Sequence, residues 1–209
     1  MEIATIFDIG ANVGAWSNAN QPCKIIAVEA SPYTFTRLQA NMAGSTTITP
    51  LHYAVSDSTT TEVDFYHCKG ADVLSTMDVR WLTAEESRFG HYRNNVEKLS
   101  VRTISLDKLI QLYGVPDLIK IDVEGAEHQV LASLSQKVPY LCFEWAAEWE
   151  VETKLAVDRL VTLGFTAFHI QNLDCYTYRP PTFELTSDEV KQTIGQKQKR
   201  VDWGMIWAK

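Results

Sequence analysis

Phe7-Asp8-Ile9-Gly10-Ala11-Asn12-Val13-Gly14 decides the reading of this chain. A short apolar run rich in β-branched residues, Ile3 to Ile9, precedes the turn, and Ala15-Trp16-Ser17-Asn18 can continue as a helix. Strand, glycine turn and helix together open a nucleotide-binding βαβ unit. Gly10 and Gly14 lack a Cβ, so the backbone can turn tightly and approach a ligand. Asp8 lies near the end of an otherwise apolar strand, where a bare carboxylate is costly unless it binds something. Glu29 closes the next apolar run, Lys24 to Glu29, fifteen residues beyond Gly14. An acidic side chain there commonly receives ribose hydroxyls.

The type of nucleotide follows by elimination. A dinucleotide fingerprint starting at Gly10 needs glycine at positions 12 and 15, where this chain has Asn12 and Ala15. A phosphate loop needs Gly-Lys followed by Ser or Thr, which does not occur. A ligand without phosphates needs no phosphate cradle, and S-adenosylmethionine (SAM), adenosine joined to a zwitterionic amino acid, is such a ligand. On this reading Asp8 and the turn Gly10, Ala11, Asn12 and Gly14 serve the amino-acid end. Glu29, followed by Ala30, serves the ribose. An ordinary βα turn with an acid at its edge is the plainer alternative.

Length and composition bound the rest. At 209 residues the chain is long enough for one domain with a sizeable core, and we read residues 1–209 as a single domain. Hydrophobic residues make up 45% and charged residues 22%, values of a soluble globular protein. The apolar runs are too short to span a membrane, and the N-terminus lacks the basic and apolar regions of a signal peptide. The net charge of −7 and pI near 5.2 leave no electrostatic footprint for nucleic acid. Cys23, Cys68, Cys142 and Cys175 form no CxxC pattern, which fits a reduced, cytoplasmic protein.

Along the chain, Ser31 reads as an N-cap and Pro32 as the first helical residue of a helix ending before Gly44. Thr46 to Val55 reads as a third parallel strand. The polar loop Ser56-Asp57-Ser58 after it would lie beside the adenine, because ligands collect at the carboxyl ends of parallel strands. Residues 60–105 interrupt the alternation and read as an insertion near the site with paired, antiparallel strands. Thr83-Ala84-Glu85-Glu86 has the spacing of a capping box heading a short helix. A helix from Ser105, stopped by Gly114, leads into Leu118-Ile119-Lys120-Ile121-Asp122-Val123. A covered parallel strand is apolar on both faces, yet here Lys120 and Asp122 share one face. They are either an ion pair or part of a site, or both. Glu124 follows, and Glu144 lies in the next strand, Tyr140 to Trp145. Glu150 to Leu163 reads as a helix through Leu155, Leu160 and Leu163. Phe165 to Ile170 reads as a strand, and Thr186 to Glu189 as a second capping box. Trp203 to Ala208 reads as a closing strand with Trp203, Met205 and Trp207 on one face.

Strands alternating with crossover helices give a doubly wound α/β sheet. The motifs FDIGANVG, AVEASP, YAVSD, SLDKL and IKIDVEGAEHQVL, in this order, resemble the FkbM family of SAM-dependent class I methyltransferases. The resemblance runs from about Ile6 to Leu134, and IKIDVEGAE is its most specific part. It implies a mostly parallel seven-stranded sheet with the last strand antiparallel. It also implies O-methylation of a hydroxyl on a sugar or natural-product-type small molecule. Many relatives carry additional residues before the first motif that help cover the site.

Methyl transfer from a sulfonium to an alcohol requires in-line alignment and removal of the hydroxyl proton. Asp122, Glu124 and Glu144 fall at the carboxyl ends of adjacent strands. One of Asp122 or Glu124 is expected to be the general base, with Glu144 orienting the acceptor and Lys120 holding Asp122 ionised. Asp122 also falls where it would border the cofactor. Alternatively, Asp122 and Glu144 hold Mg²⁺. The expected partner is a small hydroxylated acceptor, carbohydrate-like, with no nucleic acid or membrane; the oligomeric state is open. Competing classes are a non-catalytic SAM-fold binding module, which would not need the acids at the strand ends, and a methyltransferase acting on a macromolecule.

Overall fold

The computed structural model describes residues 2–57 and 59–209. In chain order the elements are β1 (Thr5–Ile9), α1 (Ala15–Ala19), β2 (Lys24–Glu29), α2 (Pro32–Asn41), β3 (Ile48–His52), β4 (Ala54–Val55), β5 (Glu62–Cys68), α3 (Arg80–Thr83) and β6 (Val96–Ile104). Then follow α4 (Leu106–Tyr113), β7 (Leu118–Ile121), α5 (Glu127–Ala132), β8 (Tyr140–Ala146), α6 (Glu150–Thr162), β9 (Phe168–Asn172), α7 (Ser187–Gly195) and β10 (Trp203–Ala208).

The main sheet has seven strands in the order β3-β2-β1-β7-β8-β10-β9. β1 to β3, β7 and β8 run parallel, while β10 lies between β8 and β9 and is antiparallel to both. The strand order reverses beside β1, so the crevice outside the carboxyl ends of β1 and β7 is where a doubly wound sheet takes its ligand.

Alternation along the strands builds two cores. Phe7, Ile9, Ile26, Val28, Ile119, Ile121 and Phe143 point to the face covered by α4 to α7. Ile6, Ile25, Ala27, Leu118, Cys142, Met205 and Trp207 point to the other, covered in part by Trp16, Leu38 and Met42 from α1 and α2. Asp8 and Lys120 belong by register to this second, otherwise apolar face. The caps expected at Ser31 and Thr186 are present: Ser31 accepts from Thr34 N, and Thr186 and Glu189 form a reciprocal capping box, while Ser105, read as the first helical residue, is itself a cap and accepts from Lys108 N.

The structure corrects several readings. The strand expected over Thr46–Val55 divides at Tyr53. Ile48–His52 pairs with β2, whereas Ala54–Val55 leaves for a second, three-stranded sheet and pairs in parallel with Thr103 and Ile104. In that sheet β5 and β6 are antiparallel over their length. Thr83 does not cap a following helix. It is the last residue of α3, and its hydroxyl donates back to Val79 O. The inward face of α6 is Thr153, Ala156, Val157 and Leu160, while Leu155 is 45% exposed. β9 begins only at Phe168, because Thr166 and Ala167 bond instead to the carbonyl of Lys209. Ser58, at the end of the expected adenine loop, lies outside the described residues.

Candidate functional site

A cavity of about 410 Å³ opens at the carboxyl ends of β1, β2 and β7. Its floor is the glycine turn. Gly10 has φ +78°, and a Cβ there would meet the Asp122 carbonyl oxygen at 1.7 Å. Only glycine allows the turn to pass that close to the end of β7. The turn's own N–H groups are largely spoken for. Gly10 N and Ala11 N donate to Val28 O, Asn12 N to Glu29, Val13 N to the Asn12 side chain and Gly14 N to Ala11 O. The turn therefore shapes the floor chiefly through its backbone course. Gly14 does not border this cavity; it packs against Leu38 and Met42.

Glu29 and Ala30 line the cavity with Gly10, Ala11 and Asn12. Glu29 accepts from Asn12 N at 2.9 Å and from Ser31 N at 2.8 Å, one bond to each carboxylate oxygen. Each oxygen keeps acceptor capacity for a ligand hydroxyl. Burial raises Glu29 to about 7, against the opposing pull of these two backbone donors. Ser56 is buried and Asp57 exposed, and neither borders the cavity.

Asp8, read from the sequence as a cofactor contact, is placed elsewhere. It is fully enclosed beneath the turn, accepts from Ser17 Oγ at 2.6 Å, and faces Lys120 Nζ at 3.2 Å. Lys120 also donates to Gly10 O and lies 3.3 Å from Asp122 Oδ2. Burial opposes the Lys120 charge, but Asp122 and Asp8 outweigh it and hold the ammonium above its ordinary value. The ion pair and a position bordering the cavity therefore coexist at Lys120.

At the end of β7 and β8, one carboxylate oxygen from each of Asp122, Glu124 and Glu144 lies within 4.8 Å of the others. Asp122 and Glu124 line the cavity; Glu144 stands behind them. Glu124 adopts φ +58°, an uncommon conformation for a residue with a Cβ. Its Oε2 accepts from Trp81 Nε1 at 2.9 Å. Burial, then the negative charges of Asp122 and Glu127, push Glu124 well above the usual carboxylate range. Glu144 is raised likewise by burial and by Asp122, Glu124 and Glu127. Glu127 accepts from Val123 N and Gly125 N and so braces the turn that presents Glu124.

The 60–105 region, read as an insertion near the site, does reach the wall, but its individual residues there were not singled out. Asp72, Val73, Ser75 and Met77 come from the segment after β5, and Asp174, Tyr176 and Trp203 from the chain around β9 and β10. Asp174 follows the carboxyl end of a strand parallel to β8, so the strand-end rule could have found it. Trp81 carried no such signal, because only the tertiary fold brings α3 against Glu124.

Residues 8–173 match the methyltransferase FkbM domain. The chain belongs to that family. A curated relative of this FkbM-domain chain, the hexuronic acid methyltransferase AglP of Haloferax volcanii, is 26% identical over 143 residues, covering 66% of this chain and 53% of AglP. The chain thus spans about half the length of that relative. Among solved structures, Aeropyrum pernix fibrillarin, in complex with natively bound S-adenosyl-L-methionine, superposes with a TM-score of 0.50 at 14% identity over 100% of this chain and 67% of the other. The precorrin-6y C5,15-methyltransferase of Geobacter metallireducens gives 0.49 at 12%, over 99% and 80%. The fold is that of the class I SAM-dependent methyltransferases. Among the described residues no helix is long and apolar enough to cross a membrane.

Proposed function

We propose that this chain transfers a methyl group from SAM to a hydroxyl of a carbohydrate-like small molecule. The observation that carries the reading is one cavity lined both by Glu29, with free acceptor capacity for a ribose, and by Asp122 and Glu124 at the end of β7. AglP, named for a hexuronic acid, supports a sugar acceptor. In the step, the sulfur–methyl bond breaks with its electron pair left on sulfur, a carbon–oxygen bond forms, and the hydroxyl proton passes to a carboxylate. Asp122 is the better of the two base candidates. Its partner is the Lys120 ammonium, whereas burial and the negative charges of Asp122 and Glu127 raise Glu124, with the Trp81 N–H pulling the other way. Glu144, within 4.8 Å of both carboxylates but outside the cavity lining, positions them instead of touching the acceptor as the sequence suggested.

A second reading draws on the approach of the three carboxylates to within 4.8 Å: Asp122, Glu124 and Glu144 would together hold Mg²⁺, which takes carboxylates, waters and substrate oxygens. The test is an acceptor screen with SAM that measures formation of S-adenosylhomocysteine, with and without a chelator. Transfer to hydroxylated sugars that survives chelation supports the acid–base reading. Loss on chelation, restored by Mg²⁺, supports the metal. Absence of cofactor binding by calorimetry refutes both.

A further inference from the structure

We infer that the cavity admits a hydroxyl acceptor that carries no negative charge, a neutral or amine-bearing polyol rather than a uronic acid or a phosphorylated sugar. The inference rests on the function proposed above and narrows its substrate class.

The polar side chains on the wall decide it. Glu29, Asp72, Asp122, Glu124 and Asp174 line the cavity, and among the described lining residues Lys120 is the one Lys or Arg. That ammonium is 3% exposed and already shared between Asp8 and Asp122. Asp72 is paired with Arg37, which does not border the cavity and whose guanidinium is thereby engaged. An entering carboxylate or phosphate would find no uncommitted cation, and losing water without a counter-charge is costly. The cofactor escapes this difficulty because its own carboxylate and ammonium belong to one amino-acid group.

The same wall suits a donor-rich guest. Carboxylates accept from hydroxyl or ammonium groups and offer none in return while ionised. Tyr176, 47% exposed, and Val73, 57% exposed, add an accessible apolar rim against which the C–H face of a sugar ring can rest. The wall thus differs from what a hexuronic acid, the compound for which AglP is named, would require.

The test uses the whole chain saturated with S-adenosylhomocysteine, its binding first established by calorimetry. Methyl glucoside, methyl glucosaminide and methyl glucuronide are then compared by saturation-transfer NMR and titration at low salt. Binding of the glucoside or glucosaminide at least tenfold tighter than the glucuronide is expected. Val73→Lys, at an exposed rim position, supplies the missing cation and should strengthen glucuronide binding about tenfold. Equal or tighter glucuronide binding to the unaltered chain, no gain in Val73→Lys, or binding of none of the three with the cofactor product in place overturns the inference while leaving the cofactor site standing. Failure of S-adenosylhomocysteine to bind overturns the underlying function and the inference with it.

Discussion

Asp8 and Lys120 stand opposite one another in the β1–β7 register, with Lys120 Nζ 3.2 Å from Asp8 Oδ1. Both are buried in an otherwise apolar sheet face that includes Ile6, Ala27, Leu118 and Cys142. The same ammonium reaches Asp122 at 3.3 Å and Gly10 O at 3.2 Å. One side chain therefore ties the glycine turn to the proposed catalytic carboxylate.

Removing that ammonium leaves the enclosed Asp8 without its cationic partner. Lys120→Met is expected to destabilise the fold by about 3–5 kcal/mol, the usual cost of breaking a buried pair. Adding Asp8→Asn should return part of the loss, since the orphaned charge is then gone. Urea unfolding of the single and double variants measures both. A Lys120→Met variant as stable as wild type would show that the pair carries no structural weight.

Glu29 makes stability depend on pH in a defined direction. Its ordinary value of 4.5 is raised to about 7 in the folded chain by burial. Between those values the folded state keeps a proton that the unfolded state has lost. Stability from this group is therefore greatest on the acid side and falls as pH rises through the window, by about 3 kcal/mol at most. Glu29→Gln should flatten this part of the profile; Glu127, also raised to about 7, should preserve the rest. Urea midpoints between pH 5 and 8 give the comparison.

Ribose hydroxyls donate to a carboxylate, so they select the ionised form of Glu29. Affinity for SAM should rise as pH passes through about 7, with proton release on binding. Glu29→Ala should weaken binding by about 1.5–3 kcal/mol, the range for a hydrogen bond to a charged acceptor. Calorimetry in buffers of different ionisation enthalpy reads both effects, and unchanged affinity in the variant would take Glu29 out of the cofactor site.

Asp122→Asn and Glu124→Gln should each keep SAM affinity within about tenfold. Asp122→Asn should lower turnover by about 10²–10⁴, the contribution of a lost general base. Glu124→Gln should cost less, because its carboxyl is already biased toward the neutral form. Turnover with SAM and an accepted sugar, measured alongside cofactor affinity, separates these outcomes. Wild-type rates in both variants would refute the base assignment.

Gly10→Ala places a methyl group where the Asp122 carbonyl oxygen lies, 1.7 Å from the ideal Cβ, in a backbone with φ +78°. It should cost about 4 kcal/mol or more, or prevent folding. Gly44→Ala meets nothing within 4 Å and should leave the melting temperature close to wild type. Comparable melting temperatures for the two would contradict the close approach of the turn to β7.

The sequence by itself determined the βαβ opening, the caps at Ser31 and Thr186, the closing strand at Trp203–Ala208, and the carboxylates at the strand ends. These are local signals, written in the spacing of apolar residues and in the few residue types that fit a cap or a tight turn. Lys120 and Asp122 were legible as anomalies because two charges on one face of a buried strand need an explanation within a few residues. Their pairing was readable from the sequence, but tertiary structure alone added Asp8 to it. Asp8 turned from the cavity toward Lys120 because strand register sets them side by side, and register depends on pairing between residues 112 apart in the chain. The division of Thr46–Val55 at Tyr53 and the arrival of Trp81 at Glu124 have the same origin. Tyr176 and Val73 reach the wall by the same long-range packing, which no local pattern encodes.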